Sequence, residues 1–235
     1  MTRRSLILAT ALVAGLGIAT AGAETRDLET THSAQGISQV SIEVAVGDVT
    51  VEPSSDGQIH AHVHLTPRRG GFLSSLKSGE RQVREARLEA EVTGSELSLT
   101  IDAPGSDHRF EATWQVEMPT ELAVKVKVGV GDIKLNRLAG GCDVDTGVGD
   151  VTTVLEGGGL SAQTGVGDVT VEAPEAAVGK VSATSGVGDV RLRAGDTRLN
   201  GEGMVSKELT WKGQGSARFK LESGVGDIMI TLTSK

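Results

Sequence analysis

The sequence predicts an all-β protein: a single-stack, β-helix-like β-solenoid with a β-rich N-terminal cap and one short helix. Two observations support this prediction. A Gly-Val-Gly-Asp-Val/Ile pentapeptide occurs five times in the second half of the chain, and apolar and polar residues alternate on either side of the copies. Alternation with a period of two is typical of strands that bury one face.

The pentapeptide copies follow one another at intervals of 18, 18, 21 and 38 residues. They begin at Gly129, Gly147, Gly165, Gly186 and Gly224. Residues 201–205 form a degenerate copy inside the longest interval, and residues 45–49 are an isolated relative near the N-terminus. A period of about 19 residues is too short for a propeller blade of ~40 residues. Stacked β-coils fit this period, with short strands that pair with the coils above and below.

Each residue type in the pentapeptide predicts a role at a tight corner between two strands. Glycine adopts positive φ without a Cβ clash and lets neighbouring coils approach closely. Aspartate accepts hydrogen bonds from nearby backbone amides and so holds a corner. We expect the valine between the two glycines to point inward.

The first half of the chain predicts further strands with less regular spacing. One strand pair is expected around Gly47-Asp48, and Thr93-Gly94-Ser95 is a hairpin signal between two apolar runs. Residues 80–87 have the composition of a short helix, which would cover one end of the stack. The predicted organisation is a signal peptide at 1–23, a β-rich cap region at 24–118 and solenoid repeats at 119–235.

The N-terminus has the pattern of a secretory signal peptide. Arg3 and Arg4 precede an uncharged run that ends in Ala21-Gly22-Ala23, the small-residue pattern of a cleavage site. The arginine pair also resembles a twin-arginine signal, so the export route stays open between the two. The predicted location is extracytoplasmic, either periplasmic or secreted, and no membrane span is predicted. A single cysteine, Cys142, cannot form an intramolecular disulfide and is expected to be buried.

Composition argues against several classes of partner. Removing residues 1–23, which contain two arginines and no acidic residue, changes the formal charge from −8 to −10. Nucleic acids and anionic membrane surfaces are therefore not expected as partners. The chain has two tryptophans, three phenylalanines and no tyrosine, so base-stacking platforms are not expected either.

These features together resemble a bacterial "putative adhesin" domain family. The Gly-Asp-Val/Ile repeats on alternating flanks, a preceding signal peptide and a β-rich part with a short charged helix carry the resemblance, which covers roughly residues 37–235. The resemblance implies a β-solenoid fold, a cell-envelope setting and an adhesion or scaffolding role. It supplies no catalytic residues.

The repeated aspartates form the first candidate site. If the coils stack in register, they form a column with neighbours ~4.8 Å apart. The column comprises Asp132, Asp150, Asp168, Asp189 and Asp227. Backbone amides and solvent would absorb the charge in the favoured corner-capping interpretation, while a divalent cation such as Ca²⁺ between carboxylates is the alternative.

Three histidines form the second candidate site. His60, His62 and His64 alternate along one strand, which places them on one face with Cα atoms ~6.6 Å apart. The favoured interpretation is the solvent face of a strand whose other residues point inward, and the alternative is a Zn²⁺, Ni²⁺ or Cu²⁺ site. His108 cannot be placed relative to them from sequence.

No catalytic motif is present in the sequence. It lacks a Gly-x-Ser-x-Gly elbow, a His-Glu-x-x-His zinc motif and a phosphate-binding loop, and no helical pattern follows the Gly-Val-Gly-Asp copies. We therefore predict a non-enzymatic exported interaction or scaffold module with no cofactor and an unknown protein or glycan partner. A divalent-cation-binding protein is the first alternative, and a carbohydrate-active β-helix is a weaker one.

Overall fold

The structure, a computed structural model, describes residues 25–68, 73–105 and 108–234, without the side chains of residues 73–78. The predicted signal peptide lies outside the described residues. In chain order the strands are β1 (Arg26–Ser33), β2 (Gln39–Val46), β3 (Val49–Pro53), β4 (Gln58–Pro67), β5 (Arg87–Thr93), β6 (Glu96–Asp102), β7 (Phe110–Met118), β8 (Ala123–Val130), β9 (Ile133–Leu138), β10 (Cys142–Val148), β11 (Val151–Leu155), β12 (Leu160–Val166), β13 (Val169–Pro174), β14 (Val178–Val187), β15 (Val190–Ala194), β16 (Thr197–Asn200), β17 (Lys207–Lys212), β18 (Ala217–Val225) and β19 (Ile228–Thr233). Helix α1 spans Leu73–Glu85, and a 3₁₀ turn spans Glu175–Ala177.

The strands form two sheets that enclose one core. The ten-stranded sheet has the order β1-β4-β7-β3-β9-β11-β13-β19-β15-β16, and the nine-stranded sheet has the order β17-β14-β18-β12-β10-β8-β2-β6-β5. Each repeat contributes one strand to the nine-stranded sheet, turns at a Gly-Asp corner and contributes the next strand to the ten-stranded sheet. The predicted all-β solenoid is confirmed, with two sheets as the two faces of one stack.

Six coils of this kind pair in parallel, strand on strand. Their order along the stack is β2/β3, β8/β9, β10/β11, β12/β13, β18/β19 and β14/β15. The relative at residues 45–49 is therefore the corner of a full coil that stacks directly on β8/β9. The predicted pairing of the strands around Gly47-Asp48 is wrong in detail, because the corner sends β2 and β3 into different sheets.

The last coil in the chain occupies an internal position in the stack. Strands β18 and β19 lie between the coil β12/β13 and the coil β14/β15, and they pair in parallel with both. Residues 201–205 do not form a corner of the stack. They belong to the connection between β16 and β17, where Glu202 and Glu208 form an antiparallel bridge.

Aligned apolar side chains fill the space between the sheets. Val126, Val144, Ala162, Leu221 and Ala183 occupy equivalent positions on successive strands of the nine-stranded sheet, and all are buried. The alternation of the sequence follows directly from this arrangement, since every second residue of a strand faces the core.

The two ends of the stack are covered differently. At the N-terminal end β5 and β6 form the antiparallel hairpin that Thr93-Gly94-Ser95 predicts. Helix α1 is longer than the predicted segment 80–87 and begins earlier. The Arg26 guanidinium donates to the carbonyl oxygens of Arg84 (2.5 Å) and Ala86 (2.8 Å) and so joins β1 to the end of the helix. At the other end the short antiparallel strands β16 and β17 form the sheet edges.

Candidate functional site

The Gly-Asp corners lie directly on one another along the stack, and their aspartates form a hydrogen-bonded ladder. In each step a carboxylate oxygen Oδ1 accepts from the backbone N–H of the aspartate one coil further along. The donor and acceptor pairs are Asp132 to Asp48 (2.9 Å), Asp150 to Asp132 (2.8 Å), Asp168 to Asp150 (2.8 Å), Asp227 to Asp168 (2.7 Å) and Asp189 to Asp227 (2.8 Å). These are the contacts that the corner-capping interpretation predicts.

The ladder differs from the predicted column in its membership and its order. Asp48 is its first member, and Asp227 precedes Asp189 because the last coil is inserted inside the stack. At the far end the guanidinium of Arg191 lies 2.6 Å from Oδ2 of Asp189 and 3.9 Å from Oδ2 of Asp227. A cation from the protein therefore offsets charge at the last two steps.

Buried hydroxyl groups form a second ladder beneath the first. The residue that precedes the pentapeptide is Thr146, Thr164, Ser185 or Ser223 in four coils, and all four side chains are buried. Each hydroxyl donates to the carbonyl oxygen of the second glycine in a neighbouring coil, for example Thr164 Oγ1 to Gly149 at 3.0 Å. Sequence reasoning missed these residues, although a Thr or Ser before the repeated pentapeptide was a visible signal.

The valines between the two glycines of each corner face the solvent, so the expectation that they point inward is wrong. Val130, Val148, Val166 and Val225 are 48–49% exposed and Val187 is 57% exposed. They lie opposite one another on successive parallel strands, and the half-buried Val46 lies opposite Val130. We call the five exposed side chains, together with Val46, the valine ridge.

The valine ridge contains most of the large apolar side chains that are exposed in the described part of the chain. Nine large apolar side chains are exposed there, and five of them are ridge valines. Two more, Met204 and Val205, lie on the connection that Ser206 fastens to the last corner through a 3.2 Å hydrogen bond to the carbonyl oxygen of Ser185. Scattered exposed apolar residues are ordinary, whereas a contiguous apolar stripe marks an interaction surface.

One glycine separates the valine ridge from the aspartate ladder in every coil. With strands ~4.8 Å apart, six coils give two parallel stripes, one apolar and one acidic, about 24 Å long. The aspartate side of this surface is exposed except at the half-buried Asp227. The corner therefore offers a partner apolar contact along its whole length and negative charge over the first four coils, before Arg191 offsets the last two aspartates.

The three candidate histidines lie on the outer face of β4, as the favoured interpretation predicts, and each meets a carboxylate. His60 Nε2 lies 2.8 Å from Asp56 Oδ2, and His64 Nδ1 lies 2.6 Å from Asp27 Oδ1. His62 Nε2 is 3.5 Å from the same Asp27 oxygen. His108 lies away from them, edge-on to Phe110 with ring centroids 6.0 Å apart.

Two titratable groups have environments that move the pKa clearly. The side-chain hydroxyl of Ser54, then His60 and the backbone N–H of Gln58, hydrogen-bond the Asp56 carboxylate and lower the pKa of Asp56 from 3.8 to about 2. Burial raises the pKa of the Cys142 thiol to about 12. The predicted burial of Cys142 is confirmed, with 4% of the residue exposed.

Within residues 25–68, 73–105 and 108–234, no group of three or more His, Cys, Asp or Glu side chains is disposed to hold a metal ion. The described helices are also too short or too polar to cross a membrane.

Stacked corners on two facing sheets place the protein among the β-solenoid-like all-β proteins. Residues 115–231 match the family model described as "Toastrack DUF4097". The match contains five of the six coils and omits β2/β3.

Solved structures similar to this chain carry names that refer to adhesion or lipid binding. A "putative cell adhesion protein" from Clostridium sporogenes is 18% identical with a TM-score of 0.62, covering 89% of this chain and 100% of that one. A "putative adhesin" from Bacteroides fragilis is 14% identical with a TM-score of 0.34, covering 87% and 97%. A "putative lipid binding protein" from Parabacteroides distasonis is 10% identical with a TM-score of 0.26, covering 89% and 96%. Because the last two TM-scores are below 0.5, only the first supports the fold. No curated protein matches this sequence.

Proposed function

We propose that this protein is a non-enzymatic, exported, adhesin-like interaction module that binds its partner along the valine ridge. The observation that carries the proposal is the concentration of exposed apolar side chains on one corner of a regular stack. A rigid scaffold presents such a stripe at little entropic cost, because the ridge residues are already fixed by the coil pairing.

The aspartate ladder beside the ridge determines the kind of partner. Two copies of the chain packed ridge to ridge would bring two acidic stripes together, and like charges at an interface oppose binding. A glycan would be expected to meet aromatic platforms, whereas the ridge consists of valines. The surface therefore fits a basic amphipathic polypeptide segment, which supplies apolar contact to the valines and positive charge to the aspartates.

The dimensions of the ridge suit a helix of ordinary length. At 1.5 Å per residue, a helix of about 16 residues spans a stripe about 24 Å long. Helix-in-groove and helix-on-face recognition relies on apolar anchors at i, i+3, i+4 and i+7, flanked by charge.

Binding to synthetic peptides tests the ridge. A Leu/Lys amphipathic helical peptide should bind the protein saturably, and a Leu/Glu peptide of the same length should not. The double variant Val148→Ser/Val166→Ser removes apolar contact without adding negative charge and should weaken binding about ten-fold or more, which corresponds to a loss of about 1.4 kcal/mol. Val92→Ser is the control, because Val92 is 45% exposed on β5, away from the ridge. Equal weakening by the control substitution, or equal binding of both peptides, would contradict the proposal.

Fractionation tests export separately from binding. The full chain expressed in a bacterial host should be released with the extracytoplasmic fraction, with a mass that corresponds to cleavage after Ala23. A variant lacking residues 2–23 should stay in the cytoplasm. Retention of the uncleaved full chain inside the cell would overturn the export proposal, and release of reducing or unsaturated sugars from a polysaccharide panel would overturn the non-enzymatic one.

A further inference from the structure

Strand pairing in the nine-stranded sheet is interrupted beside β2. On one side β2 pairs with β8 as far as Val46 and Val130. On the other side it pairs with β6 only as far as Ile42 and Leu99. Among the strands the structure describes, none pairs with the free edge of β2 over residues 43–46. The sheet therefore opens at this point, close to the N-terminal end of the stack.

A cavity of about 310 Å³ lies at this opening. Its lining includes residues 43–46 of β2 and residues 100–101 of β6, the stretches that follow the last paired residues. Phe110, Ala112 and Trp114, which belong to the inward face of β7 and are buried, also line the cavity. The opening thus leads from the outer face of the sheet to apolar side chains of the core.

Trp114, one of the residues that line the cavity, carries a buried hydrogen-bond donor. Trp114 is 1% exposed, and its indole nitrogen Nε1 is buried without a hydrogen-bond partner among the described residues. A buried donor without an acceptor destabilises the folded state, because it has lost its hydrogen bonds to water. Tryptophan N–H groups in protein interiors normally have a partner. Because Nε1 is shielded from solvent, an acceptor reaches it only if the indole ring turns towards the cavity.

We propose that this cavity binds a small apolar molecule that carries a hydrogen-bond acceptor oxygen. The volume lies at the lower end of the range for ligand pockets, about 300–1,000 Å³. The apolar wall takes the body of the ligand, and the acceptor satisfies the Trp114 N–H. The charged residues Glu43 and Lys127 also line the cavity, so that polar side chains lie next to its apolar wall.

This site shares only Val46 with the valine ridge, and its ligand is of a different class from the partner proposed there. An uncharged small molecule draws on neither the aspartate ladder nor the exposed valines from Val130 onward. Failure of the peptide experiment therefore leaves the cavity proposal intact, and failure of the ligand experiment leaves the ridge proposal intact.

Tryptophan fluorescence provides a direct measurement, since the chain has two tryptophans. In a Trp211→Phe background Trp114 is the only tryptophan, and excitation at a wavelength that only tryptophan absorbs reports on it alone. The probe is 2-octanone, whose single polar atom is an acceptor oxygen, and the comparison compound is 2-methyl-1-octene, in which CH₂ replaces that oxygen. We expect a saturable change in Trp114 emission with 2-octanone and binding several-fold weaker with the alkene, because the alkene offers no acceptor to the Trp114 N–H.

Paired substitutions at one repeat position assign the binding to the cavity. Val46→Phe places a larger side chain in the cavity lining and should weaken 2-octanone binding about ten-fold. Val148→Phe changes the equivalent residue two coils along the stack, which lies outside the lining, and should leave binding unchanged.

Measurements on the unsubstituted protein remain decisive if Val46→Phe fails to fold. Nuclear Overhauser contacts between 2-octanone and the indole protons of Trp114 are expected. Their absence, together with no saturable change in fluorescence, would overturn the proposal. Equal affinities for the ketone and the alkene would overturn the acceptor role of the ligand.

Discussion

The backbone N–H of Asp168 donates a 2.8 Å hydrogen bond to Oδ1 of Asp150, one coil away in the stack. The N–H of Asp150 donates in turn to Asp132. Each ladder aspartate except the terminal ones therefore serves as acceptor for one neighbour and donor to the other. The backbone N–H of the neighbouring corner therefore supplies the hydrogen bond that each Oδ1 accepts, and this bond requires no cation.

Substitution of a ladder aspartate tests this role. Asp150→Ala removes the acceptor for the Asp168 N–H and should lower the free energy of unfolding by about 1–2 kcal/mol, a range typical of bonds to charged groups at partly exposed sites. Asp150→Asn keeps an acceptor oxygen and should cost less. Denaturant titration measures both. Asp145→Ala, on the exposed face of the same coil, is the control, and a loss as large as that of Asp150→Ala would argue against corner capping.

The second glycine of the corner cannot carry a side chain. Gly149 has φ of 149°, and a Cβ placed there would collide with the carbonyl oxygen of Gly131 in the neighbouring coil. Gly149→Ala should therefore be strongly destabilising, by about 3 kcal/mol or more, because the backbone conformation and the coil spacing are both disturbed. Gly141→Ala is a matched control in the same coil, since no atom lies within 4 Å of its added Cβ. Similar melting temperatures for the two variants would contradict this explanation.

The sequence predicted the stack and its corners but not the direction of the corner valines. Thr146 and Val151 both face the core although five positions separate them, so the alternation changes phase within the corner. The pairing of β10 with its neighbours skips Gly147, which accounts for the change. Strict alternation from Thr146 would have placed Val148 inside, and only the backbone path shows that it lies outside.

The order of the coils was also beyond sequence reasoning. All coils present similar inward residues and the same Gly-Asp corner, so β18/β19 carries no local signal that distinguishes one stacking partner from another. The histidine face was predictable because β4 keeps strict alternation along its length. The Trp114 cavity was not predictable, because it depends on the point at which β6 separates from β2.

The internal position of the last coil predicts unusual protection of the C-terminal strands. Amides of β18 and β19 are hydrogen-bonded between two neighbouring coils, so their exchange should be among the slowest, whereas those of the edge strand β16 should exchange quickly. Native-state hydrogen exchange measures the difference. Fast exchange throughout β18 and β19 would show that the coil is only loosely inserted.

Truncation tests the same insertion by another route. A chain ending at residue 213 lacks β18 and β19, which leaves β12/β13 and β14/β15 without the strands between them. We expect this chain to lose cooperative unfolding and to aggregate through its exposed strand edges. A truncated chain with a native-like melting transition would show that the two flanking coils can close directly on each other.

The lowered pKa of Asp56 predicts that the free energy of unfolding decreases measurably at acid pH. The hydrogen bonds from Ser54 (2.6 Å) and Gln58 (3.0 Å), and the contact with His60 (2.8 Å), favour the ionised form and hold the pKa of Asp56 at about 2. Because the folded value lies below the ordinary one, the contribution to stability is present above about pH 3.8 and is lost as the pH falls towards 2.

Carboxyl carbon NMR measures this titration directly. Ser54→Ala should raise the pKa of Asp56 towards 3.8, because it removes the hydrogen bond that contributes most. Ser55→Ala, in the same turn, should leave the midpoint where it is. A midpoint for Asp56 near 3.8 in the unsubstituted protein would contradict the role given to these hydrogen bonds.

The buried thiol of Cys142 should be nearly inert in the folded protein. The thiolate is the reactive form, and burial raises the pKa of Cys142 to about 12, so few molecules are ionised near neutral pH. Iodoacetamide should modify the native protein very slowly and the denatured protein at the rate of an ordinary cysteine. In the variant Cys142→Ser/Asp143→Cys the thiol moves to the adjacent exposed position and should react without denaturant. Rapid modification of native Cys142 would show that β10 opens locally, because only exposure of this strand gives the reagent access to the thiol.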